Sequence, residues 1–106
     1  MRIVIPPQKS KNVIATIAVG SEYVNSWNEF AAHNWKMYCE KNGLGLILFD
    51  KDLLSENSTL YKKRQWQKLL IGRELVNSGL RIQNVCYLDT DILINPEAPN
   101  VFDHHI

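Results

Sequence analysis

The chain has 106 residues, 45% of them hydrophobic, with 12 Lys and Arg against 11 Asp and Glu for a formal net charge of +1. At roughly 0.7 of a domain of about 150 residues it has room for one small core and not for two. Near-neutrality excludes a global field drawing nucleic acid or an anionic membrane. The longest apolar run, Leu44 to Phe49, is too short for a membrane span. Met1 to Pro7 is too short and too soon broken by proline for a secretory signal. Cys39 and Cys86, without a C-x-x-C, read as free core thiols of a reducing compartment, hence a cytoplasmic protein, in preference to a disulfide or metal pair.

Residues Met1 to Lys11 read as a lead-in arm or edge strand, since Pro6-Pro7 blocks a ladder. Val13 to Val19 is the first clear strand, β-branched and almost wholly apolar, as a strand covered on both faces should be. Gly20-Ser21 then turns the chain. The spacing predicts a helix over about Val24 to Asn42: Trp27, Phe30, Ala31, Trp35, Tyr38 and Cys39 recur mostly at three- and four-residue steps. Ser26 and Glu29 have capping-box spacing, and Asn42-Gly43 is a stop signal. Leu44 to Phe49 is a second buried strand ending at Asp50, followed by a polar loop over Lys51 to Leu60. A second helix is predicted from about Lys63 to Asn77, and a third strand over Val85 to Leu88. Ile92 to Ile94 is a further short extended run, closed by Asn95-Pro96. The order β-α-β-α-β predicts an α/β fold with a mostly parallel sheet.

Ligands of such sheets bind beyond the C-terminal strand ends. Here those ends are Gly20-Ser21-Glu22, Asp50-Lys51-Asp52 and Asp89-Thr90-Asp91, which together hold five acids. Charge is also unevenly spread. Tyr61 to Arg73 carries Lys62, Lys63, Arg64, Lys68 and Arg73 and no acid, whereas Val85 to Ile106 carries Asp89, Asp91, Glu97 and Asp103 and no Lys or Arg. Asp89 and Asp91 stand inside nearly continuous apolar sequence. In an extended chain, residues two apart point the same way, so the two carboxylates converge. Close carboxylates repel unless a cation joins them, and oxygen ligands suit Mg²⁺ or Mn²⁺. Such an ion takes its remaining oxygens from water and substrate phosphates. The bland alternative is a strand end with two solvated acids.

The string Tyr87-Leu88-Asp89-Thr90-Asp91-Ile92-Leu93-Ile94 resembles the DxD segment of the GT-A glycosyltransferases, which use nucleotide-sugar donors. Trp66-Gln67-Lys68-Leu69-Leu70 resembles the aromatic-x-Lys helix that precedes that segment, and Ile14 to Gly20 resembles the family's first nucleotide-binding strand. The likeness spans about residues 13 to 102. It implies that 1–106 form one domain, the Rossmann-like, N-terminal nucleotide-sugar-binding portion of a GT-A domain. By the same resemblance Asp89 and Asp91 would hold Mn²⁺ or Mg²⁺, and the metal would hold the donor diphosphate and stabilise it as it departs. Asp89 would also face the ribose or sugar. Lys68, and Arg64 one turn before it, would add positive charge near the phosphates. Ala18, Val19 and Gly20 would line the base or ribose, Asp50 would accept a ribose or base hydrogen bond, and Tyr23 could stack on a base. The acceptor class (glycan, lipid or protein) and the catalytic residue are not assigned by these motifs.

Trp27, Trp35 and Tyr38 follow the helical stripe and read as core, and His33 reads as helix surface. His104-His105 invite a metal reading, but adjacent residues point apart in extended chain. Two other functions compete. One is a Mg²⁺-dependent phosphatase or phosphotransferase, whose Asp-x-Asp would follow the first strand and not the third. The other is a non-catalytic nucleotide-sugar-binding or assembly module, for which a self-complementary homo-oligomer would cover an open sheet edge.

Overall fold

Four strands, β1 (Arg2–Ile5), β2 (Asn12–Ile17), β3 (Gly45–Phe49) and β4 (Asn84–Tyr87), form one sheet in a computed structural model that describes residues 1–51, 71–95 and 97–103. Their order is β1-β3-β2-β4. Strand β2 runs parallel to both its neighbours, with Ala15 facing Ile47 on one side and Tyr87 on the other. Strand β1 runs antiparallel to β3. The sheet is therefore mixed, which corrects the expectation of a mostly parallel one. The reason is local: only residues 6–11 separate β1 from β2, and a parallel return needs a crossover of about a dozen residues or more.

Three helices are present among the described residues: α1 (Ser21–Phe30), α2 (Ala32–Asn42) and α3 (Ile71–Asn77). The single helix expected from Val24 to Asn42 is thus two, and it begins earlier. Gly20, at φ 100°, swings the chain from β2 into α1 with no side-chain cap, a conformation that suits glycine because it lacks Cβ. Ser26 lies inside α1 and caps nothing. The break falls at Ala31, where φ is −119°. The bonds Ala31 N–H to Trp27 O and Trp35 N–H to Ala31 O, both 2.9 Å, span it, so it is a bend and not a gap. On either side Trp27 and Trp35 are both buried.

Strand alternation sorts the core into two layers. Ile14, Leu46 and Leu48 face α1 and α2, packing with Trp27, Trp35 and Cys39. Val13, Ala15, Ile47 and Phe49 face the other way, onto Ile71 and Leu75 of α3. Each large apolar side chain removed from water this way contributes about 1.5–3 kcal/mol. Gly45 opens β3 because the β1–β2 connection passes over it: a Cβ there would lie 2.8 Å from Val13 Cγ1 and 3.0 Å from Pro7 Cα.

The expected polar loop after Lys51, the helix start at Lys63 with Arg64, Trp66 and Lys68, Pro96, and His104-His105 all lie outside the described residues. No helix among the described residues is long and apolar enough to cross a membrane.

Candidate functional site

From β2 the chain goes to one side to form β3, then to the other to form β4. The helices that follow β2 and the helix that precedes β4 accordingly lie on opposite faces. The crevice between the C-terminal ends of β2 and β4 is thus the point where strand order reverses, the place where open α/β sheets bind ligands. A cavity of about 410 Å³ opens there. Ile17, the last residue of β2, borders it; Tyr23 and Trp27 reach it from α1; Tyr87, Asp89 and Asp91 reach it from β4 and the turn beyond. Tyr23 is 63% exposed whereas Trp27 is buried.

Asp89 and Asp91 both border this cavity, but not on an extended chain. The Ile92 N–H donates to the Asp89 carbonyl at 3.2 Å. Residues 89–92 therefore form a tight turn and not the extended chain that the sequence predicts. Both remain exposed and border the same cavity. Burial pushes the Tyr87 phenol up to about 12, aided by its hydrogen bond to the Asp89 carboxylate and by the charges of Asp89 and Asp91. The phenol thus stays protonated and donates to Asp89.

The two sides of the turn are anchored to different elements. Before it, the Leu88 N–H donates to Ala15 O at 3.0 Å, and Thr16 Oγ1 donates to Leu88 O at 2.6 Å. After it, residues 92–94 form no strand. Helix α2 holds them instead: Trp35 Nε1 donates to Ile92 O, and the Asn34 amide both donates to Ile94 O and accepts from the Ile94 N–H, all at 2.7 Å. Further along, the Tyr38 hydroxyl donates to Pro99 O at 2.8 Å and accepts from the Val101 N–H at 2.9 Å. The aromatics read as core are core, and Trp35 and Tyr38 also tie down the chain that follows the acids. Asn34 was missed altogether. Its only signal was an asparagine of modest helix propensity inside the helix expected over Val24 to Asn42; in the structure it lies in the first turn of α2. Ser26 and Thr90, which also border the cavity, carried no such signal.

The remaining expected site residues are dispersed. Asp50 directly follows β3, across β2 from β4, where Arg2 Nε sits 2.9 Å from its Oδ2 and the chain's terminal ammonium 3.5 Å from its Oδ1. Burial raises its carboxyl, but these two cations and hydrogen bonds outweigh it and hold it below the usual range. Ala18 is buried and donates to Phe49 O at 2.9 Å, and Gly20 O accepts from the Val24 N–H at 3.1 Å. Ala18, Val19 and Gly20 adjoin Ile17 in sequence, but it is Ile17 that borders the cavity.

Buried Trp27 has an indole N–H with no acceptor among the described residues. Its ring meets Trp35 edge-to-face, centroids 5.6 Å apart. Among the described residues no three His, Cys, Asp or Glu side chains come together. The donor set in the cavity is two carboxylates, hard oxygen ligands of the kind Mg²⁺ and Mn²⁺ accept when water and phosphate complete the shell. Cys39 and Cys86 are both free thiols.

No protein-family model matches this chain, and neither a curated protein nor a solved structure matches it.

Proposed function

We propose that the β2–β4 crevice is the donor site of a metal-dependent glycosyltransferase of GT-A type. In this reading Asp89 and Asp91 hold Mn²⁺ or Mg²⁺, and the cavity receives a nucleotide-diphosphate sugar. The observation that carries it is the meeting of the Asp-x-Asp turn with the aromatic residues Tyr23 and Trp27 at the reversal of strand order. Acids alone would mark a solvated strand end. An aromatic wall beside them suits a base or sugar next to a metal-bound diphosphate.

The three-layer arrangement then corresponds to a Rossmann-like nucleotide-binding half. When bound, the ion would neutralise charge on the departing diphosphate. The chain's own residues bind and orient: Asp89 and Asp91 supply oxygens, Tyr87 steadies Asp89, and Tyr23 offers an exposed ring face for a base. Lys68 and Arg64, outside the described residues, would add positive charge near the phosphates, and the acceptor is a glycan, lipid or protein. Two free thiols suit a cytoplasmic setting.

The test is thermal unfolding with a panel of nucleoside diphosphates and nucleotide sugars, with and without Mn²⁺. A ligand at about 100 times its Kd adds about 2.7 kcal/mol of stability. Mn²⁺-dependent stabilisation that disappears in Asp91→Asn is expected, and its absence across the panel overturns the reading. Donor binding without hydrolysis or transfer would favour a binding module.

A further inference from the structure

We infer that Trp35 and Asn34, neither of them bordering the β2–β4 cavity, are positioning residues that set the cation affinity of the Asp89–Asp91 pair; this rests on the proposed metal-binding role of that pair. The turn's backbone is held on both sides. Asp89 follows Leu88, whose N–H and carbonyl are bound to Ala15 and Thr16 of β2. Asp91 precedes Ile92, whose carbonyl is bound to Trp35 Nε1 at 2.7 Å. Ile94 is bound twice to the Asn34 amide, at 2.7 Å each.

One carboxylate is therefore registered to the sheet and the other to α2. Within the turn a single 3.2 Å bond links Asp89 to Ile92. The separation of the two carboxylates is then set by how α2 sits against β2. Trp35 fixes that position well, being fully buried against the sheet. A two-carboxylate site depends heavily on such preorganisation, because a misplaced oxygen is not compensated by other protein ligands. Hydrogen bonds made directly to metal ligands change affinity about 10- to 100-fold when removed; those of Trp35 and Asn34 act further out, through the backbone beside Asp91, so a several-fold loss is the expected size.

Tyr38 provides the internal control. It belongs to the same helix and binds the same strap, but at Pro99 and Val101, well past the turn. Tyr38→Phe removes two hydrogen bonds and should lower stability without moving the acids.

The experiment titrates the full chain with Mn²⁺ alone, reading free and bound ion by electron paramagnetic resonance, with circular dichroism and Tm recorded for each variant. Trp35→Phe keeps a ring in the core and removes the donor to Ile92; Asn34→Ala removes both bonds to Ile94. Each is expected to weaken Mn²⁺ binding several-fold and to alter the bound-ion spectrum, while Tyr38→Phe lowers Tm and leaves both unchanged. Wild-type affinity in folded Trp35→Phe and Asn34→Ala overturns the inference. So does an equal loss in Tyr38→Phe, which would show affinity merely following stability. Should Trp35→Phe fail to fold, Asn34→Ala decides by the same criteria. A wild-type chain that binds no Mn²⁺ refutes the metal-site reading itself and this inference with it, a result distinct from wild-type binding that the variants leave unmoved.

Discussion

The Thr16 hydroxyl donates a 2.6 Å hydrogen bond to the carbonyl of Leu88, 72 positions along the chain. Thr16 is fully buried on the central strand, and Leu88 is the residue before the acid turn. Where a parallel ladder would end, a side chain continues the link between β2 and the segment leaving β4. Thr16→Val keeps the shape and strands the Leu88 carbonyl. The expected cost is about 1–3 kcal/mol, or roughly 4–8 °C of Tm per kcal/mol for a chain of this size. An unchanged Tm in calorimetry would show that this bond does not hold the turn.

Gly45→Ala should be destabilising out of proportion to its one added methyl. The new Cβ would meet Val13 Cγ1 at 2.8 Å and the Pro7 backbone at 3.0 Å, and Pro7 backbone cannot rotate away as a flexible side chain could. Overpacking of this kind costs about 1–3 kcal/mol. Urea unfolding measures it, and hydrogen exchange should show the loss concentrated where β1 meets β3.

Alkaline pH should weaken the fold through two weakly acidic side chains, the buried Cys39 and the half-buried Tyr87. Burial, with a smaller push from Glu40, raises the Cys39 thiol from 9.0 to about 12, and burial with Asp89 raises the Tyr87 phenol from 10.0 to about 12. Each holds its proton longer folded than unfolded. Their stabilising contribution is complete below about pH 9 and is lost as pH climbs toward 12, because the unfolded chain ionises first. Tm measured from pH 8 to 11 should fall, and less steeply in Cys39→Ala. A thiol-specific reagent at pH 8 should leave Cys39 untouched until the protein unfolds.

Acid should loosen the opposite edge. Burial works against the Asp50 carboxylate, but the terminal ammonium and Arg2 prevail and hold it below its ordinary 3.8. That contribution is present above about pH 3.8 and is lost as pH falls below it. Arg2 is half exposed, so the pair contributes no more than about 1 kcal/mol. The effect should therefore appear as faster amide exchange in β1 at low pH, and Arg2→Gln should show the faster exchange already at neutral pH.

Much of the architecture was legible locally. Both buried strands, the third strand and the stop at Gly43, whose φ is 67°, follow from apolar runs and glycine placement. Asp89 and Asp91 stood out because acids interrupting an apolar run are rarely neutral choices. The bend at Ala31 was not legible: neither proline nor glycine marks it, and the hydrogen bonds across it persist. Nor was the destination of Asp50, since nothing in its neighbourhood along the chain reveals that Arg2 arrives beside it from the edge strand.

What the amino-acid order determined by itself was the buried strands, the helical character of the stretch after the first of them, and the presence of two acids just past the last strand, because hydrophobic period and turn chemistry act over a few residues. Only the tertiary structure decided that β4 lies on the far side of β2 from β3. That placed the acids in the crevice opposite α1's aromatics and left Asp50 outside it. It decided too that the acids sit in a turn, held by Thr16 on one side and by Asn34 and Trp35 on the other. Those partners lie 57 to 72 positions from the residues they bind, and pairings at that range are chosen by how whole layers pack, not by the spacing of neighbours.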